Sequence, residues 1–217
     1  LKNDEIALSS FNKVLSTTEL PEARLLLAAT QLRMGANADV IKTLEPLLAQ
    51  RNNAKAYLLA GQATLNLGQT ERGMAYLSQA STIDPKDTVI RGTLAQNQLR
   101  TGDQQGIQGL ESVITANPED PQAYLLLATS EVGKADFKGA LGTLQKMAAA
   151  QPTNPLPDVL VGRIHLMQRN SAAARQAFEH SLTLDAGFLP AASALANLDI
   201  AEKKPAQASE RFKRILA

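Results

Sequence analysis

The sequence predicts an all-α chain, a solenoid of antiparallel helix pairs. Three observations carry the prediction. Prolines recur at a fixed period: Pro85, Pro118 and Pro152 stand 33 and 34 residues apart, and Ala186 holds the next place in the series. Turn markers keep step with them: Gly35, Gly68 and Gly102 fall about midway through their units, and Ala135, Arg169 and Lys203 hold that place later. A small, large, medium triplet at i, i+4, i+7 returns in every unit, which puts three residues on one helical face. Self-similarity at a period of roughly 20 to 50 residues marks stacked repeats.

Each unit can be justified in order. The triplets Ala7-Phe11-Val14, Val40-Leu44-Leu47, Gly73-Leu77-Ala80, Gly106-Leu110-Val113, Ala140-Leu144-Met147, Ala174-Phe178-Ser181 and Ala208-Phe212-Ile215 define the second helix of each unit. The first helices carry a large-then-small pair where two helices touch: Leu27-Ala28, Ala60-Gly61, Leu94-Ala95, Leu127-Ala128, Val161-Gly162 and Leu195-Ala196. A small side chain there lets the second helix come close. Proline after the second helix cannot continue it and punctuates the unit. Glycine between the two helices supplies the left-handed turn. These marks predict a lone second helix at 3–18, full repeats at 21–53, 54–87, 88–120, 121–154 and 155–188, and a nearly complete repeat at 189–217, together one array. The abrupt ends suggest a fragment of a longer protein. The repeat at 88–120 is rich in glycine (Gly92, Gly102, Gly106, Gly109) and is expected to be the softest.

Composition agrees. Hydrophobic residues make up 44% of the 217, enough for a sizeable core, while aromatics are only 4% and Trp is absent. Ala and Leu favour close-packed helices over a sandwich of strands. Lys plus Arg (22) balance Asp plus Glu (21) to a net charge of +1, so no global field draws nucleic acid or an anionic membrane. There is no cysteine, hence no disulfide, thiol nucleophile or thiolate zinc site. No apolar run reaches the length of a membrane span, about 20 residues.

No catalytic, cofactor or metal motif stands out, and a non-catalytic role without cofactors is expected. His165 sits where a first helix packs on its neighbour, and His180 beside Glu179 reads as solvated; a zinc site needs about three ligands in tight geometry. The glycines from Gly102 to Gly109 are followed by no Lys-Ser or Lys-Thr pair and read as a turn and a helix, not a phosphate loop.

Helix, turn, helix, then proline, in phase over the chain, resembles the tetratricopeptide repeat (TPR). The resemblance implies a right-handed superhelix whose first helices line a concave groove. It departs from the pattern in the aromatic near the start of the first helix: Tyr57 and Tyr124 keep it, while Arg24, Arg91, Asp158 and Ala192 replace it. Carried over by position, the groove is apolar with a polar ladder of Arg33, Gln62, Asn66, Gln96, Arg100, Arg163 and Asn197. Arginine and amide side chains hydrogen-bond peptide backbone and carboxylates. A protein or peptide partner is the expected ligand. The lysine and asparagine clamp for chaperone tails is missing, since Leu25, Ala29, Leu58 and Gln62 hold such positions.

Over 150–217, the linker Gln151-Pro-Thr-Asn-Pro-Leu-Pro157, the run Leu184-Asp-Ala-Gly-Phe-Leu-Pro-Ala-Ala192 and the run Leu195-Ala-Asn-Leu-Asp-Ile-Ala201 are similar to the TPR lipoprotein, PrsT type, of PEP-CTERM/exosortase exopolysaccharide systems. That resemblance implies a cell-envelope or periplasmic scaffold with a lipid anchor outside this stretch. A cytoplasmic adaptor or regulator that binds a peptide is the alternative, and the docking arm of an enzyme encoded outside this stretch is another. Uncapped repeat ends would also let copies stack end to end.

Overall fold

The computed structural model describes residues 2–18 and 20–216, and at 2, 3, 212 and 214–216 the backbone alone. Phe212 and Ile215 of the last triplet therefore lie outside the described side chains. Among the described residues every element is a helix and there is no strand. The chain divides into two compact units, Leu1–Val113 and Ile114–Ala217.

The first unit holds α1 (Lys2–Leu15), α2 (Pro21–Arg33), α3 (Asn37–Ala49), α4 (Ala54–Asn66), α5 (Thr70–Ile83) and α6 (Thr88–Arg100), each packed on the next. The unit boundary falls inside α7 (Gln105–Ala116), in the glycine-rich repeat. The second unit holds α8 (Pro121–Gly133), α9 (Phe137–Ala150), α10 (Leu156–Met167), α11 (Ser171–Leu184), α12 (Leu189–Ala201) and α13 (Pro205–Leu216), again packed in succession.

The helix starts follow from short polar side chains. Asn53, Asp87, Asp120, Asp136 and Asn170 each accept a hydrogen bond from a backbone N–H in the first turn of the following helix. Such a cap contributes about 1 kcal/mol.

The turn between the helices of a pair is the same each time. Gly35, Gly68 and Gly102 have φ of 79, 78 and 85°, and Ala135, Arg169 and Lys203 follow at 58, 60 and 61°. Around Gly35 the Gly35 N–H donates to Leu32 O (3.0 Å) and the Ala36 N–H to Gln31 O (2.9 Å). The corresponding two bonds recur at the other five turns, so each first helix ends in a Schellman motif. The later turns keep the left-handed conformation without glycine, at a cost of about 1 kcal/mol each.

The triplets form the core. Val40, Leu44 and Leu47 are buried, as are Gly73, Leu77 and Ala80, and likewise Ala140, Leu144 and Met147. Ala174, Phe178 and Ser181 continue the row, and the Ser181 hydroxyl donates to Pro155 O at 2.9 Å. In the first triplet Ala7 and Phe11 are half-buried and Val14 is exposed. A fully buried Leu or Phe contributes roughly 1.5 to 3 kcal/mol. The small partners are required by contact: a Cβ on Gly162 would overlap the Phe178 ring, and one on Gly61 would stand 2.7 Å from Leu77 Cδ2.

One polar position recurs toward the end of every first helix: Gln31, Thr64, Gln98, Glu131, His165 and Asp199. In three repeats the second helix answers it. The Thr43 hydroxyl donates to Gln31 Oε1 (2.8 Å), the Thr143 hydroxyl to Glu131 Oε2 (2.9 Å) and Arg211 Nε to Asp199 Oδ2 (2.6 Å). In the other three the answering residue is Tyr76, Gly109 or Ala177. There the buried Thr64 hydroxyl and the buried His165 Nδ1 have no hydrogen-bond partner.

Candidate functional site

The first helices of three successive repeats, α8, α10 and α12, build the principal trough of the second unit. Pro121 and Pro190 sit in the first turns of α8 and α12, where the lost N–H costs nothing. Gly162 of α10 faces Phe178 of its paired helix, and Ala128 of α8 and Ala196 of α12 are buried. Two cavities lie along the trough. One, of about 450 Å³, is lined by Arg163 and Leu166 from α10 and by Pro190, Ser193 and Asn197 from α12, over Phe178 and Leu198. The other, of about 220 Å³, is lined by Leu125, Thr129 and Val132 from α8 and by Leu160, Arg163 and Met167 from α10. Arg163 borders both.

The lining is mostly apolar with one cation. No hydrogen bond or ion pair engages the Arg163 side chain among the described residues. Met167 on this face is 57% exposed, well beyond what a core methionine shows. Such a surface accepts apolar side chains along its length and a carboxylate or carbonyl at its middle.

The predicted ladder is only partly assembled. Arg163 and Asn197 line one cavity. In the first unit, Arg33 is taken: its Nη2 and Nε reach Asp4 Oδ1 of α1 at 2.5 and 3.1 Å. That guanidinium holds the Asp4 carboxyl below the usual carboxylate range. Asn66 donates to Asn37 Oδ1 (3.1 Å), and Arg100 donates to Asn97 Oδ1 (3.3 Å) of its own helix. Gln62 is half-buried and Gln96 exposed.

The histidines differ in outcome. His165 is half-buried in the helix packing. His180, expected in solvent alone, is exposed but pairs through Nδ1 with Asp158 Oδ2 at 2.7 Å. Asp158 stands where Tyr57 and Tyr124 stand in their repeats, so a polar link between α10 and α11 replaces an aromatic contact. At the same place in α2, Arg24 Nη1 donates to Thr43 O (3.2 Å). Among the described residues no group of three or more His, Cys, Asp or Glu could hold a metal ion.

Sequence reasoning missed an ion cluster in the last repeats. Asp199 is fully buried in α12. Arg211 Nε of α13 donates to it, and Arg175 Nη1 of α11 lies 2.8 Å away, off the hydrogen-bond direction. Glu202 takes the other side of Arg175 at 3.1 Å. Burial pushes the Asp199 carboxyl up, but the Arg211 and Arg175 guanidiniums outweigh it and hold the group below the usual range. The available signal was an Asp between Leu198 and Ile200 on an apolar helix, with an arginine on the helix before and the helix after.

Residues 54–87 match the family model of the tetratricopeptide repeat. That stretch is α4, the Gly68 turn and α5, whose spacing and turn the other pairs repeat. One tetratricopeptide repeat is thus matched, at 54–87.

Solved TPR structures share the fold. The C-terminal part of a TPR repeat-containing protein from Cytophaga hutchinsonii aligns with TM-score 0.76 at 16% identity, over 99% of this chain and 90% of that one. YrrB, described as a TPR protein with an unusual peptide-binding site, aligns with TM-score 0.62 at 13% identity, over 86% of this chain and 98% of its own. MamA from Desulfovibrio magneticus aligns with TM-score 0.55 at 20% identity, over 75% and 93%. Comparison with curated protein sequences gives no match. No helix among the described residues is long and apolar enough to cross a membrane.

Proposed function

We propose that this chain is a non-catalytic protein-binding scaffold whose second unit holds a peptide segment along α8, α10 and α12. The observation that supports it most is the pair of cavities meeting at Arg163, with apolar walls and an uncommitted guanidinium between them. An amphipathic helix or an extended segment with apolar side chains and one acidic group fits that chemistry. The peptide-binding site named for YrrB is consistent with this use of the fold. The test is selection of displayed peptides on the wild-type chain, followed by affinity on Arg163→Glu. Charge reversal is expected to weaken selected peptides at least tenfold at unchanged helical circular dichroism. Unchanged affinity across the selected set would remove this trough as the site.

The setting we favour is the exopolysaccharide and protein-sorting machinery of a bacterial envelope, on the likeness of 150–217 to the PrsT-type lipoprotein. Mass spectrometry of the intact protein tests it: a lipidated N-terminal cysteine supports the assignment, and an unmodified N-terminus from the cytoplasm refutes it.

A further inference from the structure

A second cavity-forming region lies in the first unit, away from the residues the repeat pattern singles out. In the repeat of α6 and α7 the helix pair is not bridged. Gln98 is the recurring polar residue of α6, and Gly109 stands opposite, where Thr43 and Thr143 close the cleft in their repeats. Arg91 replaces the aromatic that Tyr57 and Tyr124 insert. Beside this unbridged pair lies an open cavity of about 360 Å³.

Its chemistry is unlike the apolar trough. Arg91, Gln98, Gln105, Gln108, Ser81 and Ser112 line it, with Leu94 as the apolar part of the wall. The lining carries one positive charge and no carboxylate. Arg91 is half-buried, and no hydrogen bond or ion pair engages its guanidinium among the described residues. A partly desolvated cation without an acid is an anion site in waiting, and a guanidinium matches a carboxylate bidentately. Three primary amides around it offer donors and acceptors together, the pairing that peptide groups satisfy. Aromatic faces, on which sugar rings stack, are missing from the lining.

We propose that the α6–α7 cleft is a separate binding site for an acidic side chain carried on an extended peptide. The carboxylate pairs with Arg91, and the Gln98, Gln105 and Gln108 amides bond the flanking peptide groups. A Cβ on Gly109 would stand 2.7 Å from Ala95 Cβ, so this glycine lets α7 press on α6 and the site opens beside that contact.

The test is a nuclear magnetic resonance titration of the full chain with the blocked tripeptide acetyl-Ala-Glu-Ala-amide, its Ala-Gln-Ala counterpart and glucuronate. Saturable shifts of the Gln98, Gln105 and Gln108 side-chain amides are expected with the glutamate peptide, with at least tenfold weaker binding of the glutamine peptide. Arg91→Met is expected to abolish the saturable shifts. Gln108→Ala, an exposed change that leaves the packing alone, is expected to weaken binding several-fold and serves if Arg91→Met does not fold. Equal response to both peptides, or binding indifferent to these substitutions, overturns the site. Tighter binding of glucuronate than of the glutamate peptide overturns the peptide assignment in favour of an acidic sugar.

Discussion

Arg211 Nε stands 2.6 Å from Asp199 Oδ2, joining α13 to a carboxylate with no solvent exposure in α12. Arg175 approaches the same carboxylate from α11. The last three helices are therefore tied through one buried charge. Removing one member of such a group strands the others, which costs about 3 to 5 kcal/mol. Asp199→Ala is expected to lower stability by that order, read from urea denaturation. The pH dependence has a definite sign. A carboxyl whose folded pKa lies below its unfolded value of about 3.9 stabilises fully above that value and ceases to as pH falls through the folded one. Acid titration should expose α11 to α13 to hydrogen exchange below about pH 4, and Asp199→Asn should flatten that transition.

The left-handed turns give a graded set. A Cβ at Gly35, Gly68 or Gly102 meets nothing within 4 Å, so only backbone strain opposes a side chain there. Gly68→Ala is expected to destabilise by about 1 kcal/mol. Ala135→Gly, Arg169→Gly and Lys203→Gly should each stabilise by up to about 1 kcal/mol, less whatever the freer unfolded chain takes back. Thermal melting of the four variants checks both directions.

Glycines inside helices separate by what surrounds them. Gly162→Ala pushes a methyl into the Phe178 ring and should cost about 1 to 3 kcal/mol. Gly92 has open space, so Gly92→Ala should stabilise α6 by about 0.5 to 1 kcal/mol. Hydrogen exchange is expected to find α6 and α7 the least protected pair in the wild type and firmer in Gly92→Ala. Best protection in that pair would contradict the assignment of 88–120 as the soft repeat.

Reversing charge at two ladder positions tests recognition without touching the core. Arg100→Glu combined with Arg163→Glu is expected to weaken capture of a peptide partner at least tenfold while helicity stays the same. The single variants divide the effect. Arg163 borders both trough cavities and should carry most of it, because Arg100 already donates to Asn97 within its own helix.

The repeat was readable in the chain because helix pairing depends on local periodicity. Pro85, Pro118 and Pro152 each follow a helix end by two residues, although Pro46 sits inside α3, and the small residue beside Leu27, Ala60 or Leu195 reports a helix contact through side-chain size alone. The turn at Ala135, Arg169 and Lys203 was readable for the same reason: the period placed it even where glycine was gone. What composition and spacing could not supply is the identity of each polar partner. Whether Arg33 faces a ligand or Asp4, whether His180 is alone or bonded to Asp158, and whether Asp199 is solvated or buried between two guanidiniums are settled by residues 22 to 29 positions away or on two flanking helices. Likewise only packing shows that Arg91, Gln98, Gln105 and Gln108 share one cleft between α6 and α7, since their spacing in the chain carries no such mark. Local sequence fixes where helices begin, turn and meet; the free energy of a charge depends on its neighbours in space, and those are assigned only when the pairs stack.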